Sequence, residues 1–170
     1  ISNRSIAQSP TRGLVVGGGS NNNVIEFIQF STLGDAVDFG DLTDGRGASG
    51  PMGSSTRAVW GGGRDQPSST TSDVIDYITV AALGDAADFG DLTIARKYIG
   101  GCTSPTRGVC FGGKDPSAGS NVIDYITIAS TGDATDFGDT LWGTGGDYTH
   151  GLSDGHGGLE AYDPRLIPVG

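Results

Sequence analysis

Lysine occurs only at Lys97 and Lys114, histidine and cysteine twice each, and methionine once in 170 residues. With 10 basic residues against 20 acidic ones and a net charge of −10, the chain has no electrostatic footprint for nucleic acid or an anionic membrane as partner. Two cysteines, Cys102 and Cys110, are too few for a disulfide scaffold or a zinc site built from thiolates. No apolar run approaches the roughly 18 residues that span a bilayer as a helix, so membrane insertion is not expected. The first residue is Ile1, with no basic segment and apolar run behind it, so a signal segment is expected to be absent or removed. What is abundant is glycine, 31 residues, beside 7 prolines, which excludes a helical bundle. All the acids except Glu26 and Glu160 are Asp, a residue that favours turns and caps over helix interiors. The composition predicts an all-β chain of short strands.

Self-similarity is the main signal. The block NVIEFIQFSTLGDAVDFGDLT from Asn23 returns as DVIDYITVAALGDAADFGDLT from Asp73 and NVIDYITIASTGDATDFGDT from Asn121, a spacing of 50 and then 48 residues. Between these blocks recurs SPTRGLVVGGG from Ser9, SSTRAVWGGG from Ser54 and SPTRGVCFGG from Ser104. A fainter copy begins at Ser153. The units are residues 1–43, 44–93 and 94–141, with a partial unit at 142–170, about three and a half in all. Each reads as four strands. In the third, Val122, Asp124, Ile126 and Ile128 share one strand face and Ile123, Tyr125, Thr127 and Ala129 the other; both are largely apolar, which suits a strand inside a stack of sheets. Symmetry about Thr106 sets Cys102 opposite Cys110, Met52 opposite Trp60 and Ala7 opposite Val15, so a disulfide between Cys102 and Cys110 is expected under oxidising conditions.

An apolar strand ending in Gly-Gly, a polar loop, and a strand with an acidic-aromatic pair (Asp76-Tyr77, Asp124-Tyr125), repeating at about 50 residues, resembles the kelch repeat of β-propellers. Phe39, Phe89 and Phe137 of the DFG triplets take the place of the kelch Trp on the outer strand. The phrases NVIDYITIASTGDATDFGD, SPTRGVCFGG and SDGHGGLEAY are similar to repeats of virion structural and tail-fibre-like proteins of tailed bacteriophages. The resemblance implies kelch-like propeller blades, with a three-sheet prism or β fibre as the alternative. It further implies a non-enzymatic tail or fibre component in the virion or outside the cell. Its expected partners are copies of itself, other virion proteins, and a host-surface glycan if the chain serves adsorption. An extracellular carbohydrate-binding module and a bacterial surface or filament protein are the other readings. Since three and a half units do not close a propeller, which takes at least four blades, a homo-oligomer or a longer chain is expected. Without a neighbour, Ile25, Ile75, Ile123, Phe27, Tyr77 and Tyr125 are expected to face water.

Several residues are candidate sites. Asp35, Asp38, Asp85, Asp88, Asp133 and Asp136, within triplets completed by Asp41, Asp91 and Asp139, offer the hard oxygens that Ca²⁺ prefers. Residues three apart on a strand point to opposite faces, however, so the favoured reading is that these carboxylates cap turns or pair with Arg12, Arg57 and Arg107, and no metal is expected. Those three arginines could alternatively form a ring for carboxylates or acidic sugars. The glycines at 17–19, 61–63 and 112–113 read as strand exits with positive φ, not as a phosphate-binding loop, because no helix follows. Ser153, His150, His156, Asp147 and Asp154 supply the residue types of a hydrolase triad without a nucleophile elbow, so neither catalysis nor a cofactor is expected.

Overall fold

The computed structural model describes residues 4–17 and 23–141, and every regular element among them is a strand. They form three antiparallel sheets in chain order, none closed into a barrel. The first sheet is β1 (Ser5–Gln8), β2 (Arg12–Val16), β3 (Val24–Gln29) and β4 (Val37–Asp41), each paired with the next. In the second, the long strands β7 (Arg57–Asp65), β8 (Thr71–Thr79) and β9 (Ala87–Arg96) follow two short ones, β5 (Arg46–Gly47) and β6 (Gly50–Gly53), which both pair with β7. The third repeats the plan of the first with β10 (Gly100–Thr103), β11 (Arg107–Phe111), β12 (Val122–Thr127) and β13 (Thr135–Asp139). The first strands lie together, β1 against β6 and β6 against β10.

The recurrent Ser-x-Thr-Arg segment makes the hairpin between the first two full strands of each sheet. Ser9, Ser54 and Ser104 donate their N–H to the carbonyls of Arg12, Arg57 and Arg107 at 2.9, 2.7 and 2.8 Å. Each serine Oγ then accepts the N–H of that arginine, at 3.1, 3.2 and 3.1 Å, so the hydroxyl satisfies the backbone of the turn. The turn thus has two central residues, and its symmetry point falls between them instead of on the threonine. The register predicted from the sequence is therefore off by one. Cys102 faces Val109 and Cys110 faces Gly101; Met52 faces Val59, Pro51 faces Trp60, Ala7 faces Leu14 and Ile6 faces Val15. A slip of one residue moves a side chain to the other face. Cys102 and Cys110 point to opposite faces of the sheet, both are free thiols, and the expected disulfide is corrected on that ground.

The DFG triplets are bulges. Ile25 faces Gly40 while Glu26 faces Asp38, leaving Phe39 as an extra residue in β4; Phe89 and Phe137 are passed over in the same way. The Oδ1 atoms of Asp38, Asp88 and Asp136 accept the N–H of Gly40, Gly90 and Gly138, at 3.1, 3.1 and 2.8 Å. Those glycines hold φ of +147°, +143° and +132°, a region that disfavours any side chain. A bulge re-aims its residue, and at Phe39 and Phe89 it turns the ring off the strand into a core between sheets.

The hydrophobic core lies between sheets. Leu14, Val16, Ile25, Phe39 and Leu42 of the first unit pack with Ala58, Trp60, Ile78 and Val80 of the second. Met52, Val59, Ile75, Phe89 and Leu92 of the second pack with Cys110, Ile126 and Ile128 of the third. Of the side chains expected to face water, Ile25 and Ile75 are fully buried and Phe27, Tyr77, Ile123 and Tyr125 are half-buried. The large apolar residues that are exposed include Ile28, Phe30, Leu33, Val37 and Phe137.

Candidate functional site: the junctions between sheets

Three sets of polar contacts surround each of these interfacial cores, and they recur at the first and second junctions. The outermost is a backbone clasp. Gly84 and Ala86, in the loop of the second unit, donate their N–H to the carbonyls of Phe39 and Asp41 in β4, at 2.9 and 2.7 Å. Asp41 N–H in turn donates to Asp85 Oδ1 at 3.0 Å, the carboxylate standing where a carbonyl would complete a ladder. At the next junction Gly132 and Ala134 donate to Phe89 and Asp91, and Asp91 N–H donates to Asp133 Oδ1. The approach is close enough that a Cβ on Gly40 would lie 2.3 Å from Gly84 O, and one on Gly90 would lie 2.5 Å from the Gly132 carbonyl carbon. The repeated Gly-Asp-Ala and Asp-Phe-Gly-Asp phrases are thus two halves of one joint, held by consecutive units.

The innermost set is a buried ion pair. Arg46 Nη2 lies 2.7 Å from Asp76 Oδ2, and Arg96 Nη2 donates a hydrogen bond to Asp124 Oδ2, all four side chains being wholly buried. Thr43 Oγ1 donates to Asp76 Oδ1 at 2.7 Å and Thr93 Oγ1 to Asp124 Oδ1 at 2.6 Å, so the threonine ending one unit binds the carboxylate of the next. Arg96 Nη1 also donates to the carbonyls of Gly112 and Val122, at 3.0 and 2.6 Å. Arg46 is less well served: its contact with Asp76 is one of charge at short range rather than an aligned hydrogen bond, and its Nε and Nη1 meet no acceptor among the described residues. Breaking such a pair from one side leaves an uncompensated buried charge. This lock escaped the sequence reading. Its signal was an Asp on the buried face of an otherwise apolar strand, together with arginines and Asp-Leu-Thr phrases at a 50-residue spacing.

The third set uses the repeated arginines. Arg12 lies 4.6 Å over the Phe27 ring and donates from Nη1 to Val80 O of the next unit. Arg57 stacks at 4.6 Å on Tyr77 and donates to Ile128 O at 2.8 Å. Arg107 stacks on Tyr125 at 4.8 Å. None of the three forms an ion pair with the described Asp triplets, which corrects the expected pairing; their first two members bridge units, and nothing gathers the three into a ring.

Five of the triplet carboxylates accept backbone N–H groups: Asp38, Asp88 and Asp136 within their own bulges, and Asp85 and Asp133 from the preceding unit. Among the described residues no three acids, histidines or cysteines converge on one point. Burial, reinforced by the charges of Asp73, Asp133 and Asp88, holds the Asp91 carboxyl above the usual range. The N–H groups of Ala118 and Ser117, both bound to Asp115 Oδ1, hold that carboxyl below it. Cys110 packs against Met52 in the second core, where burial pushes its thiol up to about 12, while half-buried Cys102 is raised less. The glycines at 17, 62, 63, 112 and 113 do have positive φ, yet β7 runs through Gly61–Gly63 with a bulge instead of ending there. Asp147, His150, Ser153, Asp154 and His156 lie outside the described residues.

Comparison with known proteins finds no family model that matches the chain and no curated protein that matches it. The function must be argued from the junctions themselves.

Proposed function

We propose that this chain is a non-enzymatic structural protein, a tail or fibre component of a bacteriophage virion, whose sheets are consecutive kelch-like propeller blades forming a rigid scaffold. The observation that carries the scaffold reading is where the polar chemistry goes. Thr43 and Thr93 bind carboxylates of the next unit, Arg12 and Arg57 donate to carbonyls of the next unit, the clasp carboxylates Asp85 and Asp133 accept from the preceding one, and each core is shared between two units instead of belonging to one. A repeat array whose stability resides in nearest-neighbour interfaces is suited to bearing load and to extension. The phage setting rests on the repeated sequence phrases. Its partners in that setting are copies of itself and other virion proteins, with adsorption to a host-surface glycan as the accompanying role. Immunogold electron microscopy of purified phage with antibody to this chain is the test. Labelling along the tail or its fibres is expected, and label confined to the bacterial surface would overturn the virion assignment in favour of a surface or filament protein.

A further inference from the structure

The two internal junctions define what a unit presents on each side, and among the described residues the first and third units each have one side with no neighbouring unit. On the side that faces a following unit, Phe39 and Phe89 are 3% exposed, whereas Phe137 at the same position of β13 is 56% exposed. A Cβ on Gly138 would meet nothing within 4 Å, where Gly40 and Gly90 are pressed by backbone. Arg107 is exposed, and no carbonyl of a following unit lies on its guanidinium among the described residues. On the side that faces a preceding unit, Ile78 and Ile126 are 2% and 3% exposed but Ile28 is 43%. Val80 and Ile128 are 4% and 2% exposed but Phe30, at the same position, is 54%. In the clasp loop Ala36 is exposed, whereas Ala86 and Ala134 are half-buried against the cores.

We propose that these two faces bind each other between copies, so that the chain associates head-to-tail with a second copy of itself. The arrangement continues the internal joints. Gly34 and Ala36 of one copy donate to the carbonyls of Phe137 and Asp139 of the other, and Asp35 accepts the Asp139 N–H. Phe137 enters a core with Ile28 and Phe30, and Arg107 donates to Phe30 O. The occupant is a second copy because both halves of the joint lie on this chain and are built to the pattern that already closes twice within it. Such a contact is heterologous, one face to a different face, and it extends or closes a ring according to its rotation. The ion lock is missing from it: the third unit reads Asp139-Thr140-Leu141 where the others read Asp-Leu-Thr, and Glu26 stands in the place of Asp76 and Asp124. The association is therefore reversible and depends on concentration.

This inference names the partner for the scaffold proposed above and rests on that reading only for its biological setting; a chain absent from virions could still assemble in this way. The test is sedimentation velocity of the full 170-residue chain across a wide concentration range, with Ala36→Arg to block one face and Phe137→Lys to block the other. Both positions are exposed, so the variants should keep the wild-type circular dichroism. The wild type is expected to sediment faster as concentration rises, and each variant alone to remain monomeric. Mixed in equal amounts the variants should form a one-to-one dimer and nothing larger, since one intact joint remains. A wild type that stays monomeric throughout, as it would if residues 142–170 or another segment covered β13, overturns the proposal. So does failure of the mixed variants to pair, or association that both substitutions leave unchanged. If one variant loses its fold, Asp35→Lys or Arg107→Glu replaces it on the same face.

Discussion

Cys110 and Cys102 differ by one register position and by an entire environment. Cys110 sits among Met52, Gly50 and Gly61 in the core between the second and third sheets, and its thiol is held up to about 12 by burial. Only a thiolate reacts readily with disulfide reagents. In the native protein such a reagent should therefore titrate one thiol, Cys102, with the second appearing on denaturation and no intrachain disulfide on a non-reducing gel. Asp91 makes the opposite kind of residue-scale statement, about charge. Its folded-state carboxyl is raised by partial desolvation and the neighbouring Asp73, Asp133 and Asp88, so the folded protein binds that proton more readily than the unfolded chain. Its contribution thus favours folding more as pH falls from neutrality toward the ordinary carboxylate range. Asp91→Asn should raise the neutral-pH stability slightly, by less than about 0.5 kcal/mol because the group is largely exposed, and the gain should vanish in acid. Denaturant titrations of both proteins at neutral and acid pH give the comparison. Asp115, lowered by two backbone N–H groups, works in the other direction: its stabilisation is present above the ordinary range and is lost as pH falls through the lowered value.

At the scale of the element, the bulged strand is the decisive device, because the same DFG triplet meets two environments. Phe89 is buried in a core and Phe137 is exposed beside Tyr125, their rings 5.9 Å apart and edge to face. Phe89→Ala should cost about 3–5 kcal/mol, the usual range for emptying a buried aromatic site. Phe137→Ala should cost about 1 kcal/mol or less at protein concentrations where the chain is monomeric. Chemical denaturation of the pair in parallel measures the difference, and equal costs would contradict the placement of the rings. The strand that bears the ion lock allows a further comparison. Arg96→Met leaves Asp124 as an uncompensated buried charge and should cost about 3–5 kcal/mol. Arg96→Met combined with Asp124→Leu removes both charges and should recover much of that loss; if the double variant is no better than the single, the pair does not act as a buried charge couple.

For the whole molecule, the placement of the cores between sheets sets the order of stability. The second sheet contributes to both cores, with Trp60 and Val59 packed on opposite sides of β7, while each flanking sheet contributes to one. Native-state hydrogen exchange should accordingly show the greatest protection in the central strands β7 and β8. In β3 and β12 protection should be lower, since amides open at a free energy set by the packing around them. Greatest protection in a flanking sheet would mean that the interfaces do not dominate. With one side of each flanking sheet open among the described residues, head-to-tail association should raise protection in β3 and β13 as protein concentration rises.

Much of this was legible before any coordinates. The repeat, its period and the four strands of the first and third sheets follow from spacing and alternation, because strand side chains alternate in any sheet that these residues could make, whereas the two-residue β5 that makes a fifth strand in the second sheet does not. The glycine and Asp phrases announced turns and backbone capping, since local geometry decides those contacts. Three things belonged to the tertiary structure alone. The hairpin register hung on whether the turn symmetry lay on Thr106 or between Pro105 and Thr106, a half-residue difference settled by the Ser104 hydrogen bonds and large enough to separate two cysteines. The fate of the carboxylates was likewise undecided, because Asp85 and Asp133 find their partners in the preceding unit, while Asp76 and Asp124 find arginines about 30 residues away that no local pattern joins to them. The last is which copies of one motif are buried. Phe39, Phe89 and Phe137 are the same residue in the same triplet, and exposure separates them only because burial is a property of the neighbour and not of the motif.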